Sequence, residues 1–155
     1  MSRLPTITAT SFAPFGSVHD PQPGSRDEAV ARWTDLAAAT YGSALEPRRI
    51  PLSAAGPVTV IEVHPASPQL TVSFDSSWTI RVLPEGKGPA DVPGAKFHSF
   101  HVPAGVGVML NGGLWHTPVL ADAATEVLVV FREGTTEHGT DWIELEDPLE
   151  FDDPD

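Results

Sequence analysis

No cysteine occurs among the 155 residues. Its absence excludes a disulfide framework and thiolate chemistry together, and leaves imidazoles, carboxylates and amides as the metal-binding side chains. Long apolar runs are missing as well. No stretch reaches the roughly 18 residues that a membrane span needs, and residues 1–10 lack the apolar core of a signal peptide; a cytoplasmic protein with no membrane partner is expected. Positive charge is scarce: 9 Lys and Arg face 21 Asp and Glu, a formal net charge of -12. Such a chain repels phosphate backbones, and no basic stripe interleaved with aromatics offsets it, which argues against nucleic acid as a partner. An internal repeat, a glycine-rich phosphate loop and a Gly-x-Ser-x-Gly elbow are all absent from the sequence, so phosphoryl transfer and serine hydrolysis have no foothold.

What is present is a chain punctuated by 13 Gly and 16 Pro within a composition that is 41 % apolar. At this length one domain, residues 1–155, buries roughly 70 % of its unfolded surface. Such a density of breakers predicts many short strands. Residues 48–52, 58–64, 70–74, 78–83, 95–102 and 106–110 read as strands, with 70–83 reading as a hairpin around Asp75-Ser76-Ser77. Residues 126–132 are almost continuously apolar, the pattern of a strand buried on both faces. A short helical turn around Phe12 leads into a strand, and the alanines of residues 27–39 favour a short helix. Residues 144–155 hold seven acidic side chains in twelve and read as a flexible, solvated tail. Eight or so strands with a helical interruption near the start predict an all-β antiparallel sandwich or barrel, whose mouth is a ready site.

The candidate chemistry gathers around one stretch. Glu62 and His64 are two residues apart, so on a strand they project from the same face. Pro65-Ala66-Ser67-Pro68 then turns the chain, because two prolines in four residues remove ladder donors. Gln69 opens the returning strand, which brings a carboxylate, an imidazole and an amide to the end of one hairpin; His116 is the natural fourth member. If a divalent ion is bound, Glu62, His64, Gln69 and His116 are its expected ligands, although an amide in place of a carboxylate costs affinity. His98 and His101, three apart, fall on opposite faces of a strand.

The spacing of Glu62-Val63-His64 with Gln69, followed by Pro103-Ala104-Gly105 and Trp115-His116-Thr117-Pro118, resembles a cupin ligand set with substitutions. More specifically the chain resembles the ureidoglycolate lyases. The resemblance is carried by Phe12-Ala13-Pro14-Phe15-Gly16-Ser17-Val18, Arg32-Trp33-Thr34-Asp35-Leu36-Ala37, Glu62-Val63-His64-Pro65, Leu114-Trp115-His116-Thr117-Pro118-Val119 and Val129-Val130-Phe131-Arg132. It implies a cupin-like antiparallel β-barrel, a double-stranded β-helix or jelly roll, with one or two short N-terminal helices. It also implies a homodimer and cleavage of ureidoglycolate to glyoxylate and urea in allantoin breakdown. The departures lie near the expected site: Arg26-Asp27-Glu28 stands where the family has Asn-Asn-Gly, Leu110-Asn111-Gly112 where it has Tyr-His-Arg, and Thr117 where it has a second His.

Ureidoglycolate is a hemiaminal bearing a carboxylate. Its cleavage needs a base for the hydroxyl proton and an acid for the departing nitrogen, each worth roughly 10² to 10⁴ in rate. His116 or Glu62 is the candidate base and His64 the candidate acid. A guanidinium would hold the small carboxylate substrate in bidentate fashion. Arg32 is the position the resemblance implies and Arg81, interrupting an apolar run, is a second candidate; Gln69 and Asn111 complete the expected substrate contacts. The chemistry needs no cofactor, or uses a divalent metal ion. The alternatives are a metal-dependent cupin isomerase or oxygenase acting on another small acid, and a barrel that binds small molecules without catalysis.

Overall fold

The structure, a computed structural model, describes residues 4–20, 26–92 and 96–151. Thr8 and Ser11 close a capping box on the four-residue α1 (Ala9–Phe12), which buries Phe12 and delivers the chain into β1 (Gly16–His19). The following α2 (Arg26–Tyr41) has 16 residues, longer than the short helix expected over 27–39. Its apolar signal is a narrow one: Trp33, Ala37 and Tyr41, each four apart, form the buried stripe. Asp27 and Glu28 favour the positive end of the helix dipole. Gly42, at φ +60, ends it by turning its N–H onto the Ala38 carbonyl.

The strands β2 (Leu45–Leu52), β3 (Val58–Val63), β4 (Gln69–Ser73), β5 (Trp78–Val82), β6 (His98–Val102), β7 (Gly107–Leu110), β8 (Leu120–Ala121) and β9 (Thr125–Arg132) follow, then a short α3 (Thr135–His138) and β10 (Asp141–Leu149). One five-stranded sheet has the order β1-β7-β4-β9-β2; the facing surface consists of β6-β5-β8 and the pair β10-β3, with every strand pairing antiparallel. The all-β antiparallel expectation is met. Successive strands from β2 to β5 and from β7 to β10 exchange sheets, the winding of a double-stranded β-helix. The expected hairpins are therefore absent: β3 pairs with β10 and β4 with β7 and β9, while β5 pairs with β6 and β8. Asp75-Ser76-Ser77 crosses between sheets, and so does Pro65-Ala66-Ser67-Pro68. Glu62, His64 and Gln69 meet across two sheets, not along one hairpin.

The acidic stretch expected to be a flexible tail is a strand as far as Leu149. Asp141 to Glu144 pair with Val63 to Val60, and a bulge precedes the Leu149–Val58 pair. Residues 152–155 lie outside the described residues.

Three apolar clusters follow from the alternation. Phe12, Phe15, Trp78, Ile80, Val82, Phe100, Val102, Val108 and Leu110 fill one end of the space between the sheets. Leu70, Val72, Leu128 and Val130 point the other way and pack on Trp33, Ala37 and Tyr41 of α2. That packing requires a glycine at 107, where an added Cβ would lie 2.3 Å from the Trp33 ring. Val127, Val129 and Phe131, the opposite face of β9, stand apart. Both faces of β9 are thus covered, as its continuous apolar run predicts, and its inner face borders the site.

Candidate active site

His116 is fixed by backbone before its side chain does anything. Residues 114–117 run between β3 and β5: His116 and Glu62 exchange both backbone hydrogen bonds at 2.9 Å, and Leu83 and Thr117 bond to Trp115 and Arg81. His64, one residue past β3, is held from the other side by α3 and the turn after it. The Thr140 hydroxyl donates to the Thr135 carbonyl at 3.0 Å, so its oxygen accepts from His64 Nδ1 at 2.9 Å. His116 Nδ1 likewise donates to the Leu114 carbonyl at 2.9 Å. Each imidazole therefore turns Nε2 toward Glu62, whose Oε1 is 3.6 Å from that of His116 and 4.0 Å from that of His64.

The convergence is one of acceptors. Neutral imidazoles bearing Nδ1–H present lone pairs at Nε2; the Glu62 carboxylate adds another, and Gln69 Oε1 lies 3.0 Å from His116 Nε2 while its Nε2 donates to Thr71. Such a group is repulsive unless a positive charge sits within it. A proton on His116 Nε2 meets that need, donating to Gln69 and facing Glu62; a divalent cation meets it too. Donor atoms of Glu62, His64 and His116 lie within 4.8 Å of one another, a two-imidazole, one-carboxylate set able to hold a divalent metal. His64 Nε2 is buried and makes no hydrogen bond, as an atom reserved for a ligand would be. All four residues of the expected metal set come together.

The same environment sets the charges. Burial, together with the charge of His116, pushes His64 down to about 4 against weaker opposition from Glu62 and Gln69. His64 is consequently neutral at pH 7. Burial pushes the Glu62 carboxyl up, but the His116 imidazole beside it outweighs that push, with a smaller contribution from His64, and Glu62 is held below the usual carboxylate range. Glu62 is ionised.

Glu62, His64 and Gln69 form one wall of a cleft of about 470 Å³ whose other lining includes Ile50, Leu52, Val127, Val129, Phe131 and Trp142. His116 lies behind that wall, beside a void of about 10 Å³ that it shares with Gln69 and Thr71. The expected substrate contacts divide sharply. Gln69 borders the cleft. Arg32 is exposed on α2, where its Nε bonds the Glu28 carbonyl. Arg81 is buried on the outer face of β5, donating to Ser99 at 2.7 Å with its guanidinium 3.8 Å from the Phe151 ring centroid. Asn111 is exposed in the turn after β7, its N–H on the Phe15 carbonyl. None of these three borders the cleft. Sequence reasoning passed over Arg48, on the same face of β2 as Ile50 and Leu52. It stands at the rim, bonded to Glu46 and to Thr136, a lining residue; period-two counting back from Ile50 would have found it.

A family model described as Ureidoglycolate lyase matches residues 2–152. The chain belongs to that family. It is 31 % identical over 152 residues to a ureidoglycolate lyase of Burkholderia cepacia, covering 85 % of this chain and 80 % of that one. It is 32 % identical over 151 residues to ureidoglycolate lyase 1 of Rhizobium meliloti (strain 1021), covering 86 % and 84 %. Among solved structures it is similar to an oxalate decarboxylase from Bacillus subtilis, with a TM-score of 0.49, 17 % identity, and coverage of 68 % of this chain and 25 % of that one. An oxalate oxidase in complex with glycolate aligns with a TM-score of 0.42 and 20 % identity over 57 % of this chain and 41 % of the other. In this chain the Glu62, His64, Gln69 and His116 cluster lies beneath a cleft whose described lining carries no lysine or arginine.

Proposed function

We propose that this member of the ureidoglycolate lyase family is a carbon–nitrogen lyase that splits a hemiaminal, a carbon bearing both a hydroxyl and an amide-type nitrogen, into a carbonyl compound and a urea or amide. The observation that carries the reading is a carboxylate, Glu62, held ionised at the wall of a cleft by an imidazole behind it. Glu62 takes the hydroxyl proton as general base. The C–O bond becomes C=O, the C–N pair departs onto nitrogen, and the same proton passes from Glu62 to that nitrogen. Atoms and charge balance without a second acid, which suits a neutral His64. His116 acts through Glu62 as a positioning residue, and Gln69 bridges it to the cleft. Where a divalent ion is bound, Glu62, His64 and His116 would hold it with Gln69 as a further donor, and it would supply Lewis-acid polarisation of a substrate oxygen.

Glu62→Gln preserves size and removes the base. Release of urea from ureidoglycolate and from related hemiaminals should fall by roughly 10² or more; turnover at the wild-type level in that variant would sink the proposal. Metal content of the purified protein, with activity before and after chelation, separates this lyase from a metal-dependent isomerase or oxygenase. The proposal includes a homodimer, since β2 and β10 are each paired on one side among the described strands and Ile143 is 41 % exposed. Sedimentation should give twice the 16.5 kDa chain mass; a monomer at micromolar concentration overturns that part.

A further inference from the structure

The cleft is walled on one side by the largely apolar faces of β2 and β9 and on the other by Glu62, His64 and Trp142, with Thr136, Glu137 and Thr140 from α3 and the residues after it. Ile50 and Leu52 come from β2, Val127, Val129 and Phe131 from β9, and Trp142 from β10. Its charged lining residues, Glu62 and Glu137, are both acidic. Arg48, the cation at the rim, is engaged through Nε and Nη2 by Glu46 Oε1 at 3.0 and 2.9 Å. A carboxylate moved into this space would lose its hydration and meet apolar walls and like charge, which is costly unless it is paired. Two large apolar side chains remain in water at the opening: Trp142 is 73 % exposed and Ile50 37 %. The volume of about 470 Å³ falls within the roughly 300–1,000 Å³ that holds drug-sized ligands, more than a urea joined to a two-carbon acid fills.

We infer that the occupant of the outer cleft is the uncharged, apolar body of a urea or amide, an alkyl or aryl group lying along Ile50, Val127, Val129, Phe131 and Trp142. The substrate class is then a hemiaminal whose nitrogen side carries an apolar substituent, in place of one recognised through a carboxylate. This names a substrate for the lyase reading and rests on that reading for the reacting end; the apolar end rests on the cleft alone.

Binding tests it apart from turnover. Phenylurea, urea and glyoxylate are titrated into the protein before and after chelation, followed by calorimetry and tryptophan emission; Trp33 and Trp78 are already buried, so a blue shift on ligand addition reports on exposed tryptophan such as Trp142. Phenylurea should bind at least tenfold more tightly than urea or glyoxylate in the chelated protein, with a blue shift that Trp142→Ala abolishes. Ile50→Lys, at an exposed position on an edge strand, should weaken phenylurea at least fivefold and strengthen glyoxylate. Equal affinity for urea and phenylurea, or tighter glyoxylate, overturns the inference. So does a blue shift on raising protein concentration alone, which would mean that a second copy covers Trp142. If phenylurea binds as stated while no hemiaminal is cleaved, the lyase reading fails and the apolar site stands. If ureidoglycolate is cleaved and phenylurea does not compete, the lyase reading stands and the apolar site falls.

Discussion

His64 and His116 differ in what they can do because of what lies around them, although both carry Nδ1–H against a fixed acceptor. His116 touches Gln69 and Glu62, so a proton on its Nε2 has two acceptors; His64 Nε2 has the carboxylate only at 4.0 Å. Removing His116 deletes the contact that holds Glu62 ionised and leaves burial, which acts in the opposite direction. His116→Ala should therefore lower kcat by roughly 10² or more and also move the acid limb of the kcat/KM profile to higher pH, with far-UV circular dichroism unchanged. A purely structural role would give lost helix and strand signal and an unmoved limb. His64 predicts the pH dependence of stability. Its folded value of about 4 lies below the 6.5 of an ordinary imidazole, so between these the unfolded chain binds the extra proton and stability falls as pH drops from 6.5 toward 4. Glu62, also depressed, adds loss in the same direction as pH falls through its folded value. The urea midpoint should decline over that window, and His64→Gln should flatten the upper part of the decline; an identical slope in the variant would exclude His64 as its source.

At the scale of elements, the contact that fixes α2 on the five-stranded sheet is the Trp33 ring over Gly107. Gly107→Ala puts a methyl where the ring must be, and overpacking of this kind costs about 1–3 kcal/mol. Chemical denaturation should show that loss, with Trp33 emission shifting red as the ring is pushed toward solvent; an unchanged midpoint would mean that the helix re-seats freely. The helix was hard to read because its stripe is three residues wide, Trp33, Ala37 and Tyr41, in a segment otherwise rich in exposed alanine. The site was easier. Glu62, His64 and Gln69 sit within eight residues, and period-two geometry carries the first two whatever the sheet does next. The connection was misread because a four-residue link between alternating strands has the same composition whether it folds back as a hairpin or crosses to the other sheet; pairing partners such as β10 are decided far away in sequence. β10 itself carries Glu144, Glu146, Asp147 and Pro148, yet it forms through backbone bonds to β3 and needs little burial of its own. Arg81 interrupts an apolar run on a face of β5 covered by Phe151 and Ser99, away from the cleft.

Over the whole molecule the net charge of -12 acts on anything that approaches the cleft, and the ions near its mouth do little to reverse it: Arg48 is balanced by Glu46 and Arg49 by Glu126. Screening decides how far this field reaches, about 30 Å at 0.01 M salt and about 8 Å at 0.15 M. A substrate carrying a carboxylate is repelled over the longer distance at low salt and released from most of that repulsion at physiological salt. An uncharged one feels neither. The geometry inside the cleft and the charge outside it thus make the same demand, and they can be compared in one measurement. For an N-alkyl or N-aryl hemiaminal, kcat/KM should stay within about twofold between 0.01 and 0.15 M sodium chloride, while for ureidoglycolate it should rise several-fold as the field is screened. A steep fall with salt for ureidoglycolate would reveal a local positive funnel that the described lining does not contain, and would return the site to carboxylate recognition by a cation bound at Glu62, His64 and His116.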